Sequence, residues 1–331
     1  MNVHETAYLI RHQLADLVRG DPATQRQRLA NLAHEDSVWD IAHPVNHLNG
    51  SDAFLDQFLT PLCASLHSVR RRDDIFISGE NRRSTGGYWL ASTGHYVGNF
   101  SADLFGIPAC ERLVFLRSGE FYRIARGKIA EAKIIVDFPD LMRQAGCSRL
   151  PHDLGTEMLF PAPASHDGIL PNRPREGQTS LDRVEAMFDD LHRFDPGAFS
   201  SHQQTGEDGH WHDDMLWYGP GGIGSNYRWS GFVKDHRRSF LEAFPDRVGG
   251  NHYCRIGDGA YAAASGWPSM TMTHKGSYLG IAATGRQLTL RVMDFYRCHR
   301  GKIIENWVFL DYGDLLRQMG SDLFAENGES T

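Results

Sequence analysis

Two acids in one stretch, Asp294 and Asp311, are the residues whose types and spacing best suit proton chemistry. They lie in QLTLRVMDFYRCHRGKIIENWVFLDYGDLLRQMG, residues 287–320, where β-branched and aromatic residues flank the tight turn Arg300-Gly301-Lys302. Such a composition around a glycine-containing turn predicts a β-hairpin, here followed by a short helix ending at Gly320. Side chains alternate along a strand, so Leu288, Leu290, Val292, Asp294 and Tyr296 share one face of the first strand. On the second strand Ile303, Glu305, Trp307, Phe309 and Asp311 share a face. Removing a carboxyl group from water disfavours its charged form and raises its pKa, which suits proton transfer near neutral pH.

The elements that must position these acids occur twice. Residues 117–146, RSGEFYRIARGKIAEAKIIVDFPDLMRQAG, align without a gap to 291–320, and a constant shift of 174 positions carries Arg117 onto Arg291. Phe-Tyr-Arg, Arg-Gly-Lys-Ile, the pair Asp137/Asp311 and Arg-Gln-x-Gly all coincide. Upstream, His34-Glu35-Asp36-Ser-Val-Trp39 corresponds to His212-Asp213-Asp214-Met-Leu-Trp217, and the Trp39-to-Phe54 interval equals that from Trp217 to Phe232. Here the shift is 178, so the first copy carries about four extra residues before its hairpin. The basic run Arg70-Arg71-Arg72 falls in that interval and is expected in a longer loop. The chain reads as a tandem duplication: a first domain over 1–148, a Pro-rich linker over 149–178, and a second domain over 179–322.

Each copy reads as helices, then antiparallel strands, then a short closing helix. Helices are expected on both sides of Gly20-Asp21-Pro22, through Phe54, Phe58, Leu62 and Leu66, and over 181–193 with Thr179-Ser180 as its cap. The tail after Gly320 is polar and expected to fray. The fold class is α+β: two tandem cone-shaped domains, each a curved antiparallel sheet packed on N-terminal helices, with a pocket between the layers.

Bulk properties narrow the function. The 331 residues suffice for two ordinary domains, and 41% hydrophobic with 23% charged residues is a soluble composition. A formal charge of −7 speaks against a nucleic-acid partner. Five scattered cysteines make neither a disulfide framework nor a C-x-x-C metal site. The N-terminus carries charges throughout and no apolar run reaches membrane-spanning length, so a cytoplasmic protein with no membrane partner is expected.

Thr273-His274-Lys275-Gly276, Thr284-Gly285-Arg286, Asp294-Phe-Tyr-Arg297, Gly301-Lys302-Ile303, Glu305-Asn306-Trp307, Asp311 and Gln318-Met-Gly320 resemble the SnoaL-like polyketide cyclases of the nuclear-transport-factor-2-like superfamily. The resemblance covers both halves and is closer in the second. It implies a cofactor-free enzyme in which a pocket carboxylate is general acid/base on an enolisable carbonyl compound. By position that role falls to Asp311, with Asp294 and His274 beside it. The first copy departs from the pattern. Tyr96 stands for His274, Glu120 for Asp294 and Lys133 for Trp307, while Asp137 keeps the place of Asp311. By analogy with single-domain relatives that pair through their sheets, the halves are expected to form an internal pseudo-dimer, with further homo-oligomers left open.

Plainer roles compete at each position. Asp311 precedes Tyr-Gly-Asp-Leu-Leu and Asp137 precedes Phe-Pro-Asp-Leu, so both also fit helix caps. Asp294 is harder to explain structurally, because a lone acid on an apolar strand face is costly unless paired or used. His274 suits the pocket and a structural strand histidine equally. Trp217, His252, Tyr261, Trp307 and Asn306 are the candidate substrate-binding residues, though for His252 a structural role leads. His210-Trp211-His212-Asp213-Asp214 places two histidines on one strand face, but no third ligand declares itself, and a solvated loop rather than a metal site is expected. The glycines of 219–224 lack a phosphate-binding context, and Gly-x-Ser-x-Gly is absent. The leading expectation is a lyase or isomerase for a small organic carbonyl substrate, by aldol cyclisation, isomerisation or elimination. The alternatives are a non-catalytic small-molecule-binding module and an epoxide-type hydrolase using paired acids.

Overall fold

The structure, a computed structural model, describes residues 3–191 and 204–325. Asp21 breaks the opening helical run by accepting a hydrogen bond from the Thr24 amide, which separates α1 (Val3–Leu17) from α2 (Pro22–Leu32). Then come β1 (Ala33–Ile41), β2 (His47–Asn49), α3 (Ser51–Phe54), a π-helical turn (Leu55–Leu59) and α4 (Thr60–Ser65). The first half closes with β3 (Leu66–Glu80), β4 (Tyr88–Phe100), β5 (Leu113–Ala125), β6 (Lys128–Val136) and α5 (Phe138–Ala145).

The second half repeats this order. After α6 (Pro174–Leu191) come β7 (Trp211–Tyr218), β8 (Asn226–Tyr227), α7 (Arg228–Phe232), a second π-helical turn (Val233–Arg237) and α8 (Arg238–Ala243). The sheet follows with β9 (Cys254–Asp258), β10 (Tyr261–Thr273), β11 (Gln287–His299) and β12 (Lys302–Leu310), then α9 (Tyr312–Met319). The strand orders are β2-β1-β6-β5-β4-β3 and β8-β7-β12-β11-β10-β9, the same path drawn twice. The fold is α+β with two tandem sheet-and-helix units, but the sheets are mixed rather than antiparallel. β1 pairs parallel with β6 and β7 with β12, because the intervening helices return the chain to the far edge of its hairpin.

Both hairpins turn on an Arg-Gly pair with positive φ at each position, Arg126-Gly127 and Arg300-Gly301. A bulge follows each turn. Cys298 pairs with Ile303 but Arg297 with Glu305, so Ile304 is the extra residue. One inserted residue reverses which side chains of β12 share a face with β11. Asp294 therefore lies opposite Val308, and Asn306, Val308 and Leu310 join it on the concave face. Trp307 and Phe309 point the other way, into a second core between the two sheets, with Phe121, Trp89, Met293 and Phe295.

That inter-sheet core is reciprocal. Phe121 and Phe295 are counterparts under the 174-residue shift, and their rings meet at 5.6 Å. The Asp137 carboxylate accepts the Gly221 amide at 3.0 Å, and the Asp311 carboxylate accepts the His43 amide at 3.2 Å, residues 43 and 221 being counterparts under the 178-residue shift. Gly119 sits where the Phe309 ring would be 2.8 Å from any Cβ, so the sheets approach closely there.

Three smaller expectations are corrected. Arg70-Arg71-Arg72 lie inside β3, not in a loop; the longer loop of the first copy is 81–87, where the second copy has a two-residue turn at 259–260. The helix expected from Thr179-Ser180 starts earlier, at Pro174, and residues 192 and 193 at its expected end lie outside the described residues. Past Gly320, Leu323 is buried and Phe324 packs on Phe138; residues 326–331 lie outside the described residues. Among the described residues, no helix is long and apolar enough to cross a membrane.

Candidate active site

A cavity of about 590 Å³ opens between the helices and the concave sheet face of the second half. Period-two alternation on β11 delivers Leu290, Val292, Asp294 and Tyr296 to it, as the sequence predicts. β12 adds Asn306, Val308 and Leu310, and β7 adds Trp211 and Trp217. The π-helical turn places His236 and Arg237 on the wall, and the segment between α8 and β9 contributes Arg247, Gly249 and His252.

Asp294 is part-buried, and no cation pairs with it among the described residues. Burial raises its pKa to about 7, while the adjacent Asn306 amide and Tyr296 hydroxyl pull weakly the other way. Of the expected binding residues, Trp217, His252 and Asn306 line the same cavity. The His252 Nδ1 accepts a hydrogen bond from Arg255 Nε at 3.0 Å, which fixes its ring against Phe188 at 4.7 Å.

Four expected site residues lie elsewhere. Asp311 caps α9 through the Asp314 amide, pairs with Arg291 at 2.9 Å and binds the first half through His43. It is buried in the interface, not the cavity, because the β12 bulge puts its parity on the opposite sheet face. Trp307 and Tyr261 share that face; the Trp307 indole donates to the Pro161 carbonyl at 2.9 Å and the Tyr261 hydroxyl to Asp167 at 2.6 Å. His274 lies just beyond the end of β10, fully buried beside Phe244, with Nδ1 3.0 Å from the Thr284 hydroxyl. It pins loop 274–286 and does not line the cavity.

The first-half counterparts form a closed cluster. Glu120 is fully buried and binds Arg71, Tyr122, Tyr96 at 2.8 Å and Ser118 at 2.9 Å. Burial pushes its pKa up, but Arg71 and the two tyrosine hydroxyls outweigh burial and hold it below the usual carboxylate range. Asp137 repeats Asp311 as the cap of α5, paired with Arg117 at 2.8 Å. Tyr96 is not the counterpart of His274. It pairs with Leu116, as Met270 pairs with Leu290, so the register makes Met270 its equivalent.

His236, Arg237, Arg247 and Gly249 escaped the sequence reading. The signal was available in the 178-residue shift, which sets them against Phe58, Leu59, Val69 and Arg71. His236 stacks on Trp217 at 4.4 Å and 16°, where Trp39 in the first half stacks on Phe54 at 3.7 Å. Burial, reinforced by Arg237 and Arg247, pushes the imidazole pKa down to about 3, so the ring is neutral, and its buried Nδ1 has no hydrogen-bond partner. Of the metal-like cluster, His210 faces Arg183 at 3.2 Å and the His212 ring meets the His299 carbonyl at 3.0 Å. No group of three or more His, Cys, Asp or Glu among the described residues is arranged to hold a metal ion.

Residues 193–319 match the model of the SnoaL-like polyketide cyclase family. The second half is thus similar to the SnoaL-like polyketide cyclases. No curated protein matches the chain. Among solved structures, a candidate hydroxylase from Streptomyces galilaeus is 24% identical over 34% of this chain and 78% of its own, with a TM-score of 0.28. A candidate polyketide cyclase from Xanthomonas campestris is 21% identical over 43% of this chain and 98% of its own, with a TM-score of 0.34. A SnoaL-like protein from Jannaschia is 12% identical over 46% of this chain and 97% of its own, with a TM-score of 0.36.

Proposed function

We propose that the second half is a cofactor-independent acid/base catalyst for an enolisable carbonyl compound, with Asp294 as the proton carrier. The observation that carries this reading is a single carboxyl group, unpaired by any described cation and with a pKa near 7, on the wall of a cavity large enough for a small organic molecule. As carboxylate, Asp294 takes a proton from the carbon next to the carbonyl. The electron pair of that C–H bond moves to the oxygen as an enolate, which Tyr296, Asn306 or the neutral His236 stabilises by donating a hydrogen bond. Returning the proton at another carbon is isomerisation. Attack of the enolate carbon on a second carbonyl is aldol ring closure, and loss of a β-substituent is elimination.

The orienting role expected of His274 passes to these three residues, since His274 does not reach the cavity. Hydrolysis by paired acids loses its basis, because Asp294 faces the cavity while Asp311 faces the first half. The first half serves as a packing partner whose acid is spent on Arg71.

The test needs no known substrate. A panel of small 1,3-diketones and β-keto esters is incubated in D₂O, and α-hydrogen exchange is followed by proton NMR. Enzyme-dependent exchange that falls by about 100-fold or more in Asp294→Asn supports the assignment. Exchange unchanged by that substitution removes Asp294 from the mechanism.

A further inference from the structure

Around Trp217, three residues differ from their first-half counterparts, and all three bear on where its ring sits. Under the 178-residue shift Ser37 becomes Met215, Ile41 becomes Gly219 and Phe58 becomes His236. In the first half the Trp39 indole donates to the Ser37 hydroxyl at 2.9 Å and stacks on Phe54 at 3.7 Å and 15°. In the second half a thioether, a weak acceptor, replaces that hydroxyl. Phe232, the counterpart of Phe54, lies 5.3 Å from Trp217 at 54° and is not stacked on it. The ring stacks on His236 instead, four residues further along the chain. Gly219 makes room for this placement. A Cβ at position 219 would lie 2.0 Å from Trp217 Cζ3, 2.7 Å from Cη2 and 2.4 Å from the Gly224 carbonyl oxygen. The benzo edge of the indole thus fills the space where the first half holds the fully buried side chain of Ile41. Ring volume lodged over Gly219 is volume kept out of the cavity that Trp217 lines.

We propose that Gly219 is a positioning residue that sets substrate length. By seating Trp217 on His236 and over its own Cα, it keeps open the end of the cavity that takes the substituent of the carbonyl compound. The proposal rests on the reading of this cavity as the substrate site and adds what limits the size of its ligand. A side chain at 219 forces a rearrangement, and the indole, which turns about its side-chain bonds, yields more easily than the loop backbone. The displaced ring then occupies cavity space, so long ligands are excluded while short ones still fit.

The experiment is calorimetric titration of the full chain with neutral 1,3-diketones of rising length: pentane-2,4-dione, 1-phenylbutane-1,3-dione and 1-(2-naphthyl)butane-1,3-dione. Gly219→Ala weakens the naphthyl compound by about tenfold or more and changes pentane-2,4-dione by less than about twofold. Trp217→Phe in the Gly219→Ala background restores the naphthyl affinity to within about threefold of wild type, which damage confined to loop 219–224 would not allow. The seat of the ring is read separately and without ligand, by NMR of protein carrying carbon-13 histidine. The His236 ring protons, assigned by His236→Phe, are shifted upfield by the stacked indole and lose that shift in Gly219→Ala. An unmoved His236 signal in Gly219→Ala, an equal loss for short and long diketones, no restoration in the double variant, or no binding of any diketone to wild type at millimolar concentration overturns the proposal. Binding is read without turnover, so absence of α-hydrogen exchange with this order of affinities intact faults the catalytic reading alone.

Discussion

The two interiors of this molecule share one backbone plan and differ in what their central acid is allowed to do. Glu120 and Asp294 occupy the same position of the same strand, five residues after counterpart positions Phe115 and Thr289. Glu120 is met by Arg71 from the edge strand β3, which runs unbroken from Leu66 to Glu80. In the second half the residue at the place of Arg71 is Gly249, one position from the bridge between Val248 and Thr271, and the regular strand β9 begins only at Cys254. Loss of that long side chain, and of the strand that carried it, leaves space beside Asp294. An acid with a guanidinium partner stays ionised and inert; the same acid facing a cavity is driven toward its neutral form. The contrast teaches that an edge-strand residue, not the acid itself, decides which copy keeps an open site.

Substitutions that exchange these environments sharpen the contrast. The largest effect is expected for Asp294→Asn, which lowers turnover by about 100- to 10,000-fold, while Glu120→Gln leaves turnover per folded molecule intact; steady-state kinetics on purified, folded variants reads both. Next is Arg71→Met, which strands Glu120 without its cation and costs roughly 3–5 kcal/mol by urea unfolding. Asp294→Asn, by comparison, relieves a cost. A smaller change is His236→Phe, which restores the first-half residue and fills part of the cavity. Stability should rise by about 1 kcal/mol in urea unfolding as an apolar ring replaces a buried imidazole.

The most diagnostic effect is the pH dependence. Asp294 has a folded pKa of about 7 against an ordinary value of 3.8, so between those values the folded chain binds more protons than the unfolded one. Its contribution is therefore most favourable below about pH 4 and is lost as pH rises to about 7, at a maximum slope near 1.4 kcal/mol per pH unit. Unfolding midpoints of wild type and Asp294→Asn should diverge over that window, with the variant relatively more stable at pH 8. Identical pH profiles for the two proteins would place the carboxyl in water. Catalysis has the opposite sign, since the base form accumulates as pH passes 7.

Much of this was legible in the sequence for definite reasons. The duplication, the hairpins and the concave face of β11 follow from an ungapped repeat and period-two alternation, and the structure places Asp294, Trp217, His252 and Asn306 on one cavity. What failed was parity across the hairpin. A single extra residue at Ile304 moved Trp307 and Asp311 to the other sheet face, and no local sequence feature marks that bulge. Tyr261 was misplaced because its face was assigned without the register of β10 against β11. Arg70-Arg71-Arg72 looked like a loop because they fall in the interval where the first copy carries extra residues, whereas alternation with Asp73 and pairing to Glu120 bury the middle one. His236 and Arg237 were readable all along, by setting the two copies side by side and asking where apolar core residues turn polar.

The central claim is that Asp294 is a secluded, unneutralised carboxyl group and Glu120 is not. Carbon-13 NMR of side-chain carboxyls, with resonances assigned by Asp294→Asn and Glu120→Gln, measures both titrations in one sample. The account predicts a midpoint near pH 7 for Asp294 and, for Glu120, a carboxyl still ionised below the usual range. A midpoint near 4 for Asp294 would contradict it.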